Sequence, residues 1–276
     1  MSTASCRTSR VRAALCAFLL LFGGASAASA AGDLLVAPTR IVLDGPRGTE
    51  VILNNIGAEP ATYRISLELR RMKPDGSLED IAPEGANPVE TAALEMISYA
   101  PRRITLPPNQ PQAIRIGVRA PEGLPDGEYR AHMLFRAIPD ATPATEQSAT
   151  SGSLSIAITP IYGVTIPIIV RRGALSATAA ISDVRLTATE GGAALAFTLA
   201  RTGTRSVYGE VRVLKPGVDK PIIAARGIAV YPELAQRTVT LPLPQGAELR
   251  GPATIQYFED AESGGRLITE ARVELR

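Results

Sequence analysis

Residues 154–170 read LSIAITPIYGVTIPIIV, and every even position carries an apolar or ring side chain: Leu154, Ile156, Ile158, Pro160, Tyr162, Val164, Ile166, Ile168 and Val170. Side chains on a β-strand alternate between its two faces, so a period of two held this far describes one strand with a single apolar face. At about 3.3 Å per residue that face is roughly 55 Å long. Sandwich strands ordinarily run about 5 to 6 residues, so one such domain does not absorb it. The spacing predicts that the strand is shared, either with a second domain or with a partner. Over its first half the other face is small or hydroxylated, with Ser153, Ser155, Ala157 and Thr159.

The ends of the chain bound where this strand works. Arg7, Arg10 and Arg12 precede an apolar run over 13–22 and a small-residue stretch ending in Ala28-Ser29-Ala30. That is the pattern of a cleaved secretory signal, predicted over residues 1–30. A membrane span needs about 20 apolar residues, and neither this run nor any later one reaches that length, so no membrane anchor is expected. Cys16 lies inside the apolar run rather than at its end, which argues against a lipoprotein. The other cysteine, Cys6, also leaves with the signal, so the mature chain has no disulfide, no thiolate nucleophile and no thiolate metal ligand. Its fold must stand on apolar burial. The whole chain has 29 Lys and Arg against 27 Asp and Glu. Without the three signal arginines the formal balance is −1, which removes the main support for nucleic-acid binding.

Short apolar runs punctuated by 22 prolines and 24 glycines favour β structure. Residues 34–43 and 49–54, separated by Asp44-Gly45-Pro46-Arg47-Gly48, suggest an early strand pair. Residues 62–70 alternate Tyr63, Ile65, Leu67 and Leu69 with polar side chains and end at Lys73-Pro74-Asp75-Gly76. Further strands are predicted over 97–106, 113–118 and 128–138. Residues 140–152 contain no large apolar side chain and are expected to form a mobile loop before the long strand, placed over 153–171. Alternation resumes over 181–186, 194–200, 207–214, 222–230, 238–243, 253–258 and 267–275. The fold class is thus all-β: two immunoglobulin-like β-sandwich domains, 31–171 and 172–276, joined through the long strand. The best short helical stretch is 90–97.

Catalytic chemistry is poorly supplied. The one histidine, His132, sits in a strand, and with no cysteine in the mature chain the usual zinc sites and most histidine-based nucleophilic mechanisms are excluded. His132 reads as a structural, strand-surface or partly buried side chain. No glycine pattern that cradles phosphate follows a strand and opens a helix. Neither a cofactor nor a metal is implied, and the protein is expected not to be an enzyme. A hydrolase built on the sandwiches would need carboxylates that converge in three dimensions.

Several stretches together resemble the periplasmic chaperones of the chaperone-usher pilus pathway. APTRIVLDG at 37–45 is similar to the family's opening strand with its embedded arginine, and ISYAPRRITLPPNQPQAIRI at 97–116 to its proline-rich turn and basic-apolar strand. Leu124-Pro125-Asp126-Gly127-Glu128-Tyr129, with the strand that follows, resembles the family's most diagnostic stretch, although Gly127 replaces a commoner charged or amide residue. LSIAIT at 154–159 resembles the subunit-binding strand. Glu259-Asp260 with Gly264-Gly265-Arg266 resembles an acidic turn of the second domain.

The resemblance implies that Leu154, Ile156 and Ile158 enter the groove of an incomplete pilus or fimbrial subunit. The missing strand of such a subunit would be supplied in this way, and the subunit then passed to an outer-membrane usher. Full burial of three such side chains offers roughly 5 to 9 kcal/mol before ordering costs. The resemblance also implies that Arg40 grips the subunit's terminal carboxylate, and that Arg171 pairs with Glu259 or Asp260 to set the angle between domains. The lysine that normally completes the carboxylate anchor is missing, its place falling on Gly163 or Pro167, so either Arg40 acts with another base such as Arg171 or Arg172, or the subunit end is bound differently. A periplasmic location and self-association of the free protein through 154–158 are further expectations. The competing reading is a secreted two-domain immunoglobulin-like adhesion or structural module whose long strand is shared internally.

Overall fold

The computed structural model describes residues 34–45, 47–139 and 161–276. The expected signal peptide, the expected loop over 140–152, and Leu154, Ile156 and Ile158 lie outside the described residues. The chain forms β1 (Leu34–Ala37), β2 (Ile41–Asp44), β3 (Thr49–Asn55), β4 (Ala61–Met72) and β5 (Leu78–Ile81). A helix, α1 (Pro88–Met96), is followed by β6 (Ile97–Ala100), β7 (Arg103–Leu106), β8 (Gln112–Val118), β9 (Gly127–Ile138) and β10 (Gly163–Arg172). After these come β11 (Ala177–Thr189), β12 (Gly192–Gly203), β13 (Val207–Leu214), β14 (Ile223–Val230), β15 (Gln236–Pro242), β16 (Gly251–Glu259) and β17 (Leu267–Leu275).

The strands build two sandwiches. In the first, a sheet of order β1-β3-β8-β6 faces one of order β2-β10-β9-β4-β5, with β7 also on β4. If β1 with β2, and β6 with β7, are each counted as one strand and the short β5 is left aside, the first, second, fifth and fourth strands face the first, seventh, sixth and third. That is the immunoglobulin-type arrangement. The second sandwich sets β11-β12-β15 against β14-β13-β16-β17. Among the described residues no helix is long and apolar enough to cross a membrane.

Two expected strands are each divided. Residues 34–43 break after Ala37, and residues 97–106 break after Ala100, both at an Ala-Pro step. A proline has no amide hydrogen for the ladder, so pairing stops there and the chain crosses to the opposite sheet. The expected early pair is therefore only half formed. β1 does lie antiparallel to β3, with Leu34 opposite Asn55, but β2 leaves to run parallel to β10, with Ile41 opposite Ile168. β2 and β3 thus lie in different sheets and do not form a hairpin.

Local chemistry fixes the remaining elements. α1 begins with Pro88 and a reciprocal cap: Asn87 Oδ1 accepts from Glu90 N at 2.9 Å and Glu90 Oε2 accepts from Asn87 N at 2.8 Å. Arg71 Nε donates to Glu90 Oε1 at 2.6 Å, tying the helix to β4. At the start of β9 the Tyr129 hydroxyl donates to the Pro125 carbonyl at 2.7 Å, a corner characteristic of immunoglobulin-like sandwiches. On β9 the odd positions Tyr129, Ala131, Met133 and Phe135 enter the first core with Val51, Leu53, Ile65, Ile114 and Ile116. The even positions carry Glu128, Arg130 and His132 on the opposite face.

His132 is more enclosed than a strand-surface residue: it is 2% exposed, and neither ring nitrogen has a hydrogen-bond partner among the described residues. It lies opposite Glu68 on β4 and Pro167 on β10. Burial, with the charges of Arg130 and Arg70 adding to it, pushes the imidazole down to about 3.

Two outcomes are expected. Tyr129→Phe should lower unfolding free energy by about 1 kcal/mol, read by urea denaturation. An ordinary histidine titrates near 6.5, so below that pH the unfolded chain binds a proton that folded His132 refuses, and stability falls as pH drops. At pH 5 the loss is about 2 kcal/mol relative to neutral pH. Urea midpoints at pH 7 and pH 5 should converge in His132→Gln by that amount; an unchanged gap would show that another group titrates.

Candidate functional site

β10 is the strand on which the functional readings turn, and its two neighbours do not cover it equally. β9 pairs along all of it, from Gly163 opposite Arg136 to Arg172 opposite Gly127. β2 pairs only from Ile168 to Arg171. Among the described residues, the stretch from Gly163 to Pro167 therefore has one open side, and Pro167 offers no amide hydrogen there. Just before it, Ile161 and Tyr162 are 48% and 47% exposed. β1 also has a single neighbour, β3, and its Leu35 is 53% exposed.

The apolar face of β10 is not presented outward over the described part. Ile166, Ile168 and Val170 are buried in the first sandwich's own core, with Val164 packed against them. Over this stretch the strand serves its own sandwich, while the part expected to serve a partner, Leu154, Ile156 and Ile158, lies outside the described residues. The odd residue Ile169 faces the other way and joins Met72, Ala229 and Tyr231 in a small apolar cluster between the sandwiches.

Arg40 stands between β1 and β2, immediately before the point where β2 closes the side of β10. Its guanidinium carbon lies 4.2 Å from the centre of the Tyr208 ring of β13, a cation–π contact across the two sandwiches. Its Nε and Nη2 are enclosed and have no hydrogen-bond partner among the described residues. Burial pushes its pKa down, with Arg171 acting in the same direction and Tyr231 and Glu128 opposing. Arg40 is thus a junction residue rather than a solvated one.

Arg171 has a different partner from the one expected. Its Nε donates to Glu128 Oε2 at 3.0 Å, and the Glu128 side chain is wholly enclosed. The same oxygen accepts from the backbone N of Ser206 at 3.1 Å and from its hydroxyl at 2.9 Å. The acid paired with Arg171 therefore comes from β9 of the first sandwich, and the second sandwich contributes neutral donors. Glu259 is held by Arg205 at 3.4 Å and Arg266 at 3.8 Å, and shares with Arg171 only the lining of a cleft of about 430 Å³ that also includes Asp44 and Arg205. The Asp260 amide donates to the Tyr208 carbonyl at 3.3 Å, and its own carbonyl accepts from Ser263 N at 2.9 Å and Gly265 N at 3.1 Å, building the turn after β16. Of the two candidate replacements for the missing lysine, Arg171 is the one near Arg40. Arg172, at the next position of β10, lines together with Arg171 a cleft of about 700 Å³ that also includes Val118, Arg119 and Asp126.

More residues fix the junction than the sequence pointed to. Arg130 Nη2 bonds Glu233 Oε1 at 2.6 Å, and its guanidinium lies 3.6 Å from the Tyr231 ring centre. Met72 N donates to the same Glu233 oxygen at 2.9 Å, and Thr238 N donates to the Pro74 carbonyl at 2.8 Å, so the β4–β5 hairpin reaches the edge of β15. At the crossing, Gly173 has φ of +74° and the Asp126 carboxylate occupies the place of a Cβ, so a larger residue does not fit. The signal that would have found Glu128 and Arg130 is the run of polar side chains, Glu128, Arg130 and His132, at even positions of a strand whose odd positions are apolar. No cluster of His, Cys, Asp or Glu among the described residues could hold a metal.

No family model matches the chain, and no curated protein does. Among solved structures it is similar to the YadV chaperone at 11% identity and a TM-score of 0.46, covering 87% of this chain and 100% of that one. It is also similar to the E. coli chaperone DraB at 16% identity and 0.45, covering 88% and 96%. A third similarity is to the Salmonella enterica SafA pilin in complex with the SafB chaperone, at 17% and 0.44, covering 88% and 97%. Superpositions at this level assign no activity.

Glu128→Ala should cost about 3 to 5 kcal/mol in urea unfolding, because Arg171 keeps its charge in a largely enclosed site. A cost under about 1 kcal/mol, typical of exposed pairs, would mean that water compensates the junction.

Proposed function

We propose that the protein is a periplasmic, non-enzymatic chaperone that binds incomplete immunoglobulin-like pilus or fimbrial subunits by lending them a strand, then yields them to an outer-membrane usher. One observation carries this most directly. The open side of β10 ends at Ile168, where β2 takes over, and the residue that enters β2 is Arg40. A foreign strand pairing along β10 must stop there. If it runs in the direction of β10, its carboxylate arrives beside Arg40 and its neighbour Arg171.

The chemistry suits such an end. Guanidinium groups stay charged and present planar forks to a carboxylate. An unfinished sandwich exposes apolar side chains and an unpaired row of backbone groups, and a lent strand satisfies both. Leu154, Ile156 and Ile158 continue the alternation of β10 upstream and are proposed to fill the groove. The signal-like pattern of residues 1–30 and the family-like stretches at 37–45, 97–116 and 124–129 support the same reading.

A second reading has a specific observation behind it. Val164 to Val170 pack into the chain's own core, as an internally shared strand would in a secreted adhesion or structural module.

The two readings separate by mutation. Ile156→Asp with Ile158→Asp should leave thermal unfolding unchanged while abolishing a one-to-one complex with a co-expressed pilus subunit that lacks its final strand. Unfolding of the double variant would favour the internal module. Arg40→Ala should reduce the subunit captured in the periplasm about tenfold or more, as loss of a charged contact implies. Wild-type capture would remove the anchor.

A further inference from the structure

The buried charges at the junction are incompletely matched. Glu128 Oε2 is surrounded by Arg171 Nε, Ser206 N and Ser206 Oγ, whereas Oε1 is enclosed and accepts nothing among the described residues. Arg40 likewise has Nε and Nη2 enclosed without acceptors among the described residues. The enclosed groups are two guanidiniums and one carboxylate, with the exposed carboxylate of Asp44 opposite Arg171 at the rim of the cleft. Buried unpaired charge and unmet hydrogen-bonding groups are costly, so the cluster is suited to gain one more anion.

We propose that Glu128 stands in for the carboxylate of an arriving partner, and that filling the Arg40–Arg171 pair with that carboxylate weakens the hold of Arg171 on Glu128 and loosens Glu128 against Ser206. This rests on the reading of the open side of β10 as the place where a partner's end arrives. The two anions compete for one guanidinium, since Arg171 lines the inter-sandwich cleft on one side and bonds Glu128 on the other. With Arg171 drawn outward, Glu128 keeps only the two Ser206 donors, too few for a carboxylate in an enclosed site. Occupation is then felt in the second sandwich twice, at Ser206 and at Tyr208 beneath Arg40. Ser206 and Tyr208 are positioning residues on this account, because neither needs to touch the bound anion.

The test uses the full mature chain and sodium acetate, titrated at constant ionic strength against chloride while NMR follows the Arg40 and Arg171 Nε–H signals and the Ser206 amide. All three should shift along one saturable curve. Glu128→Gln keeps an acceptor for Ser206 but removes the competing charge, and should tighten acetate at least about fivefold. The proposal is overturned by arginine signals that do not respond, by a Ser206 amide that stays still while the arginines move, or by unchanged or weaker acetate binding in Glu128→Gln. If that variant does not fold, the Ser206 response in the unaltered chain decides. Failure to capture a subunit with the acetate response intact would sink the chaperone reading alone.

Discussion

One carboxylate oxygen, Oε2 of Glu128, gathers donors from both sandwiches. It lies on the outward face of β9, receives Arg171 from the neighbouring β10, and takes two donors from Ser206 across the junction. In water such contacts are weak, because solvent competes for every partner. In an enclosed site the same contacts become directional, since an unmatched charge there is strongly disfavoured. That group orients Arg171 and ties Ser206 of the second sandwich to β9 of the first.

The junction is reinforced where β4 and β10 extend past their own core. Met72 and Ile169 meet Ala229 and Tyr231, and Arg130 covers the Tyr231 ring while bonding Glu233. The hairpin beyond Met72 adds a backbone bond to β15, so a sheet edge of the second sandwich is occupied by the first. Apolar contact supplies most of the attraction and the charged pairs supply direction.

Edges are treated unevenly around the molecule. β5 carries Glu79 and Asp80, and β14 carries Arg226 with a register shift near Gly227, devices that discourage pairing with another chain. β1 and the first half of β10 have no charged side chain at all. The division of the first strand at Pro38 creates this situation, because β2 covers only the second half of β10. The same division places Arg40 at the corner where coverage begins.

Much of this was legible along the chain. Alternation marked the strands of both sandwiches, since a half-buried strand must repeat every two residues, and the capped start of α1 lay next to the stretch singled out at 90–97. The Ala-Pro steps were visible, but not their effect, because which sheet a strand joins depends on neighbours distant in sequence. For the same reason Arg171 was assigned an acid of the second sandwich, whereas its partner is Glu128, opposite it on the adjacent strand. Sequence by itself determined the period, the turns and the confinement of both cysteines to the first sixteen residues, all properties of short stretches. Only the tertiary structure decided which charges share an enclosed space, because burial and pairing depend on strands brought together from opposite ends of the chain.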